Sequence, residues 1–486
     1  MTFNFMSPGY YIIFLPLVIL FVEFNRRDLD KQIKILLFMS YLFFILASGW
    51  HLLLLIISTI VDWTAGNNIH KTDDEDSRKR WLTLSIVTNL GILAIFKYLD
   101  FVISTLGWGT VKLGIGLEIE EVGLLLPVGI SFYTFQTMSY TIDIYRRKEV
   151  PARNLSEFAC YASFFPQLVA GPIVRFSQFR DQVSEPVGIR KGSYKVAVTL
   201  IIYGLAKKMI FADNFAFHVD SIFSGGTDLS NPVIVYWGTL LFGLQIYCDF
   251  SAYTDIAIGS ALLIGIQIPE NFRSPYKSTS PQDFWRRWHI TLSTWLRDYL
   301  YISLGGNRFG VSRMFLALMT TMLLGGLWHG ASWNFVFWGF FHGLLLVIHR
   351  YGNGLAINDY LKSNYVGFHG ILCWLLTQWA IFFGWLIFRV EDTAILLRSV
   401  KSYVIYDVEI SVSEALNVMP GRNNLTFILL MVFLIGHLYS SRIDGSLKYH
   451  ISRIPGKYWG AMMGIILSFS LILRPMETAE FIYFRF

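Results

Sequence analysis

The chain has 486 residues, of which 54% are hydrophobic and 15% charged, with a mean hydropathy of +0.48. Soluble domains carry about 25% charged residues, so this composition excludes a string of soluble domains and indicates one polytopic membrane body. The formal charge of +6 does not indicate nucleic acid. The basic residues gather in loops beside apolar segments, as the positive-inside rule expects, and no Lys/Arg stripe interleaved with stacking aromatics marks a nucleic-acid face.

Crossing a bilayer takes about 20 apolar residues. Candidate membrane segments lie at 9–24, 35–62, 81–105, 122–145, 158–174, 194–217, 233–266, 314–349, 368–390, 424–440 and 457–474. The first has no basic leading region and no small-residue cleavage site, so it reads as a retained helix. The 35–62 run is interrupted by Ser48-Gly49-Trp50-His51, which predicts two short helices in a hairpin. The 233–266 and 314–349 runs exceed one span and predict a bend, a tilt or a division. Basic clusters around Arg26 and Lys31, Lys71 and Arg80, and Arg146 and Arg153, set in the cytoplasm, place the N-terminus outside. Segments 81–105 and 122–145 then form an out-and-back pair, with 106–121 outside. No sequence period of a solenoid recurs, and residues 1–486 read as a single integral-membrane domain. Cys160, Cys248 and Cys373 form no CxxC pair and read as buried free thiols.

Residues 270–313 carry many charges among many aromatics. Trp285, Trp288, His289, Leu292, Trp295, Leu296 and Tyr299 recur at helical spacing, which predicts an amphipathic helix at the cytoplasmic boundary with His289 on its apolar face. The run from Asp298 through Tyr301 ends in Gly305-Gly306-Asn307-Arg308. Such a turn either offers backbone N–H groups and Arg308 to a phosphate-bearing donor or simply terminates a helix. Upstream, Asp249 and Asp255 lie in an apolar segment and need partners, for which Arg273, Arg286 and Arg287 are the candidates; structural pairing is the first reading.

The costliest residue is His329, in Gly325-Gly326-Leu327-Trp328-His329-Gly330, because a titratable group in an apolar run is expensive. As a functional group it is a general base for an acceptor hydroxyl, since burial favours the neutral imidazole. As a structural group it is a core histidine bonded to a carbonyl, with the glycines serving helix packing. His289 likewise either orients substrate or packs at the interface with a hydrogen-bonded tip. His329 and His342 lack the i, i+4 spacing of a helical metal pair, so a zinc site is not indicated. No nucleophile elbow, P-loop or dinucleotide fingerprint occurs.

Eight blocks in order resemble the membrane-bound O-acyltransferase family, in particular its bacterial branch similar to the alginate O-acetyltransferase membrane subunit. They are residues 127–136, 165–173, 249–255, Pro269-Glu270-Asn271-Phe272, Trp285-Arg286-Arg287-Trp288-His289, Asp298-Tyr299-Leu300-Tyr301, Leu304-Gly305-Gly306-Asn307 and Gly326-Leu327-Trp328-His329-Gly330. The resemblance implies an all-α bundle of about eleven or more transmembrane or re-entrant helices around a central tunnel, with cytoplasmic amphipathic helices. Its core motifs fall at about 125–345 and its C-terminal helices at about 368–474. It further implies an O-acetyltransferase of the bacterial inner membrane, embedded in lipid. That enzyme takes acetyl from a cytoplasmic thioester, acetyl-CoA, and passes it across the membrane to O-acetylate an exported polysaccharide (alginate-like, cellulose or peptidoglycan) through periplasmic or extracellular partner proteins. No bound cofactor or metal is implied. By the same resemblance His329 is catalytic and His289 its companion, with Trp328, Trp285, Trp288, Asp298, Tyr301, Asn307, Arg308, Asp249 and Asp255 supporting or binding substrate. The rivals are D-alanyl transfer to teichoic acid from a carrier protein, a lipid or acyl-donor transporter with Asp249, Asp255 and His329 as proton-relay groups, and a scaffold for a secreted acetyltransferase.

Overall fold

A backbone in hydrocarbon has no water to bond, so its N–H and C=O groups must pair within the chain. This computed structural model describes residues 3–115, 120–190, 192–224, 227, 229–352, 358, 362–363, 366–405, 424–440, 447–476 and 479–484. Among the described residues the regular elements are helices and no strand occurs. Among the described residues six helical runs are long and apolar enough to cross a membrane: Leu29–Lys71, Glu75–Lys112, Pro232–Ile264, Val311–His329, Val366–Arg389 and Gly456–Leu473. Tyr10–Phe24 and Asn424–Ser440 are shorter apolar helices. Large apolar side chains such as Phe38, Leu106, Phe368 and Ile435 stand exposed, which suits a lipid-facing surface. The polytopic membrane body expected from composition, and the all-α class implied by the resemblance, are consistent with this helical architecture.

Packing divides the chain into two compact units, Met1–Val198 with Ile256–Pro269, and Thr199–Asp255 with Glu270–Phe486. In the first, helix starts are set by side-chain caps: Asp28 accepts from the Lys31 amide at 3.1 Å, Asp74 from Ser77 at 3.0 Å and Asn154 from Glu157 at 2.9 Å. The 35–62 run does break at the expected place, where Gly49 takes φ +61, but into two 20-residue helices, Leu29–Ser48 and Leu52–Lys71. Their neighbours are held by a buried polar seam. Asp62 accepts from the Ser85 hydroxyl at 2.6 Å and from the Asn89 amide at 2.8 and 2.9 Å, and the Ser58 hydroxyl donates to Asn89 at 2.7 Å.

Three expected spans in this unit take other forms. The 81–105 helix runs on from Glu75 to Lys112, so part of the expected 106–121 loop is helical; residues 116–119 of that loop lie outside the described residues. Residues 122–129 are not helical, and the helix is Ile130–Tyr145. The Asp100 carboxylate captures the Val122 and Gly123 amides at 2.8 and 3.0 Å, which competes with helix formation there. Pro127 lacks an amide to donate, and Gly129 at φ +74 presses on the Leu168 carbonyl where no side chain fits. The 158–174 run is not one span but two short buried helices, Leu155–Ser163 and Phe165–Leu168. Pro166 has no N–H for the i→i−4 bond, and the Phe165 amide turns instead to the Ser40 hydroxyl at 3.2 Å.

The second unit is built on long helices. The 233–266 run is one undivided 33-residue helix, Pro232–Ile264, of which the residues up to Asp255 belong to this unit. At 1.5 Å per residue it is about 50 Å long, well beyond the hydrocarbon thickness. The 314–349 run divides as expected, into Val311–His329 and Trp333–Gly352. These two lie backbone to backbone: a Cβ on Gly326 would strike the Phe335 carbonyl, and one on Gly339 the Met322 carbonyl. The glycines therefore serve a neighbouring helix, the close approach that small residues permit in membranes. Of the expected C-terminal helices, residues 406–423 and 441–446 lie outside the described residues.

The Asp62 seam yields a test. Asp62→Ala removes the acceptor shared by the Asn89 amide and the Ser85 hydroxyl, which keep only the Ser85 carbonyl and the Thr141 hydroxyl as partners, a loss of about 1–3 kcal/mol. A clear fall in detergent melting temperature is expected; an unchanged melting curve would contradict the role assigned to the seam.

Candidate active site

His329 ends its helix. Gly330, at φ −165 and ψ 156, is extended, and a side chain there would collide with the Phe335 ring. The chain turns back into Trp333–Gly352, and this junction leaves the His329 imidazole inside the protein at 4% exposure. Four aromatic rings surround it, with centroids at 5.1 Å for Trp328, 5.0 Å for Trp338, 5.3 Å for Phe388 and 5.7 Å for Tyr483. The histidine thus stands at the end of a spanning helix rather than within one.

His289, forty positions earlier, meets the same rings. Its imidazole lies 5.8 Å from Trp328 and 6.4 Å from Tyr483, and 4.7 Å from Phe250 on the long helix. The continuous amphipathic helix expected over 285–299 is not formed. Short helices run Pro281–Trp285 and Ile290–Trp295, the second continued by a π-helical turn Leu296–Tyr301. The break falls on His289 itself, in the left-handed region at φ 41 and ψ 56. A non-glycine residue there costs about 1–3 kcal/mol and persists only when its surroundings hold it. Asn271 supplies that hold: its carbonyl accepts the Ile290 amide at 3.0 Å, and its side chain accepts the Thr291 amide at 3.2 Å and hydroxyl at 2.7 Å. The apolar positions of the expected stripe are nonetheless buried except for Trp285, which is half-buried, with Trp288 at 1% and His289 at 0% exposure. Burial holds the His289 imidazole far below its ordinary value, at about 3.

The two intramembrane carboxylates find partners other than the expected arginines. Lys207 bonds Asp255 at 2.7 Å, and Lys448 bonds its other oxygen at 2.7 Å and Glu270 at 3.2 Å. Lys208 lies between Asp213 at 2.8 Å and Asp249 at 3.0 Å. Arg273 and Arg287 instead pair with Glu270 and Asp283, within a turn of themselves, while Arg286 is exposed. Glu270 and Asp283 engage Arg273 and Arg287 locally, and the fold brings the lysines against Asp249 and Asp255 instead. This network also secures the segment that carries Tyr483. Lys208 donates to the Ala479 carbonyl at 3.0 Å, and the Ile482 amide donates to Asp249 at 2.9 Å.

The remaining expected residues lie around this centre. Trp285 joins it through Trp338, 5.7 Å away, and Trp288 packs on Trp385 at 4.7 Å. Asp298 pairs with Arg297 at 2.8 Å, and the Tyr301 hydroxyl bonds Asn307 at 2.6 Å; neither contact involves an imidazole. In the turn that follows, Gly305 and Gly306 have φ +112 and +53. The amides of Gly305, Gly306 and Arg308 bond back to Ile302, Tyr301 and Gly305. The turn spends these N–H groups on itself, as a helix-terminating loop does, and leaves Asn307 and Arg308 exposed. Cys160 and Cys248 are buried, and Cys373 is half-buried.

The sequence profile of the MBOAT, membrane-bound O-acyltransferase, family matches residues 146–355, which contain both histidines and both aspartates. A probable alginate O-acetylase of Pseudomonas aeruginosa is 35% identical over 90% of this chain and 83% of its own length. A peptidoglycan O-acetyltransferase of Helicobacter pylori is 36% identical over 73% of this chain and 70% of its own. A teichoic acid D-alanyltransferase of Streptococcus thermophilus is 30% identical over 46% of this chain and 57% of its own. The chain belongs to the membrane-bound O-acyltransferase family.

It is accordingly an acyltransferase and a multi-pass membrane protein. Several residues of the candidate site are not legible in the sequence. Trp338 and Phe388 look like ordinary helix apolars, and only the fold brings them to His329. Phe250 sits in a block flagged for its aspartates. Lys207-Lys208 did carry a signal, being two adjacent cations in the apolar 194–217 run, which marks an intramembrane partner for acids. Lys448 and Tyr483 lie outside the matched stretch and carried none.

Lys208→Met tests the network: it leaves Asp213 and Asp249 buried without their shared cation, a loss of about 3–5 kcal/mol. The variant is expected to melt well below wild type or fail to accumulate. Wild-type melting would show that the buried pair does not hold this unit together.

Proposed function

We propose that this acyltransferase O-acetylates an exported polysaccharide, using a cytoplasmic thioester, acetyl-CoA, as donor and His329 as catalytic base. The observation that carries the reading is the meeting of His289 and His329 in one aromatic enclosure bridged by Trp328 and Tyr483. The relatives named for alginate and peptidoglycan O-acetylation cover far more of the chain than the D-alanyltransferase does, which favours acetyl over D-alanyl. Inner-membrane location, an extracytoplasmic N-terminus and delivery through periplasmic partners belong to the same proposal, supported by the loop charges and by those relatives.

In the proposed step His329 takes the proton of an acceptor hydroxyl as its oxygen bonds to the thioester carbonyl carbon. The tetrahedral intermediate collapses, the C–S bond breaks, and the thiolate takes the proton back from the imidazolium, leaving an ester and a free thiol. The acceptor of this first transfer is a hydroxyl of the polymer or of a partner that relays the acetyl. Burial holds His289 near 3, so at neutral pH it offers one ring N–H and one lone pair without a charge to desolvate, fitting a group that orients the carbonyl. The surrounding rings exclude the water that would hydrolyse a thioester.

His329→Ala is expected to lower polymer acetate by at least about 10²-fold, the scale of a lost general base, with the protein still in the membrane; full acetylation would refute the assignment. His289 gives a pH test. Its folded value lies below the ordinary 6.5 at about 3, so no charge change of this ring falls between pH 5 and 8. His289→Gln should therefore lower the rate while leaving the shape of the pH profile in that range unchanged. A limb that disappears with this substitution would show that His289 titrates during turnover.

A further inference from the structure

We propose that Tyr483 sets acyl-chain specificity, closing the space beside the two histidines so that a two-carbon acyl group is accepted and longer ones are excluded. The proposal rests on the acyl-transfer reading and adds to it the residue that limits the donor.

An acyl carbon attacked beside the His329 ring carries its chain into whatever space the neighbouring side chains leave. Three of the rings around His329 are fixtures of the core. Trp328 is its chain neighbour and 3% exposed, while Trp338 and Phe388 are 1% and 0% exposed. These last two pack on each other at 5.5 Å, on Trp385 at 6.3 and 5.8 Å, and Phe388 also on Phe335 at 4.8 Å. The fourth is of another kind. Tyr483 sits on a single short turn, Ile482–Phe484, it is only partly buried, and it reaches the site from far along the chain.

Like Trp328, its ring touches both histidines, 5.7 Å from His329 and 6.4 Å from His289, and it lies 4.3 Å from Phe250 on the long helix. The backbone beneath it is tied on both sides, through the Ala479 carbonyl to Lys208 and the Ile482 amide to Asp249. Phe481 adds a stacked contact with Tyr253 at 4.2 Å. A ring on a backbone anchored this way cannot slide aside to admit extra methylenes. The buried ion pairs of Lys208 therefore act on the chemistry at a distance, by holding a wall of the acyl pocket in place.

The test compares wild type, Tyr483→Ala and Tyr483→Phe in membranes of a strain that makes the acetylated polymer, supplied with acetyl-, butyryl- or hexanoyl-CoA. Thiol release and ester on the polymer are followed. Wild type should strongly prefer acetyl. Tyr483→Ala should raise the butyryl-to-acetyl ratio by about tenfold or more, the scale of methylene discrimination in an apolar pocket. Tyr483→Phe, which keeps the ring, should hold the wild-type ratio; a merely structural role would lower all donors together. Tyr483→Leu gives the same readout if the alanine variant does not accumulate. An active alanine or leucine variant with the wild-type ratio overturns the proposal, as does a phenylalanine variant shifted as far as alanine. Wild type that turned over no thioester would overturn the acyl-transfer reading itself, and this proposal with it.

Discussion

Everything in the second unit depends on how it buries charge. Asp213, Asp249, Asp255, Lys207, Lys208 and Lys448 are all buried, and an isolated ion in such a place would cost several kcal/mol. The penalty is met only because each carboxylate has an ammonium at 2.7–3.0 Å. Each pair also ties one element to another: the π-helical turn at Lys207 to the long helix at Asp255, and that helix to Lys448 on Leu447–Ser452. The segment ending in Tyr483 is secured by the same groups. Remove one cation and what is lost is the position of the wall beside the histidines as well as an interaction energy.

The histidines themselves are held by two different devices. His329 is placed by a helix end and a glycine contact so close that no side chain fits between Val311–His329 and Trp333–Gly352. His289 is placed by strain, a left-handed residue kept there by three hydrogen bonds to Asn271. Strained residues of this kind cluster where geometry matters more than stability. Both devices deliver an imidazole into a surround of aromatic carbon.

How much of this could be read from residues follows from the range of the forces involved. The helical, membrane-crossing character was legible because hydropathy is local and backbone pairing in lipid leaves few choices. Both histidines stood out because a polar group in an apolar run is conspicuous by itself. The break at His289 was not legible: the stripe from Trp285 to Tyr299 keeps helical period across it, and Asn271, which stabilises it, lies upstream in a different block. The partners of Asp249 and Asp255 were misassigned because proximity in sequence favoured Arg273, Arg286 and Arg287, whereas the observed lysines lie 41 to 193 positions away. Tyr483 was invisible for the same reason; an aromatic after the last apolar segment acquires meaning only through its long-range contacts.

The claim on which the rest stands is that an acyl group enters from a cytoplasmic thioester and leaves on the other face. Sealed vesicles of known orientation holding this protein, its polymer and its partners, with labelled acetyl-CoA confined to the cytoplasmic face, measure it directly. The account predicts labelled ester on the opposite face while the CoA moiety stays behind. Label that remains on the donor side, or crosses only as intact acetyl-CoA, would contradict it.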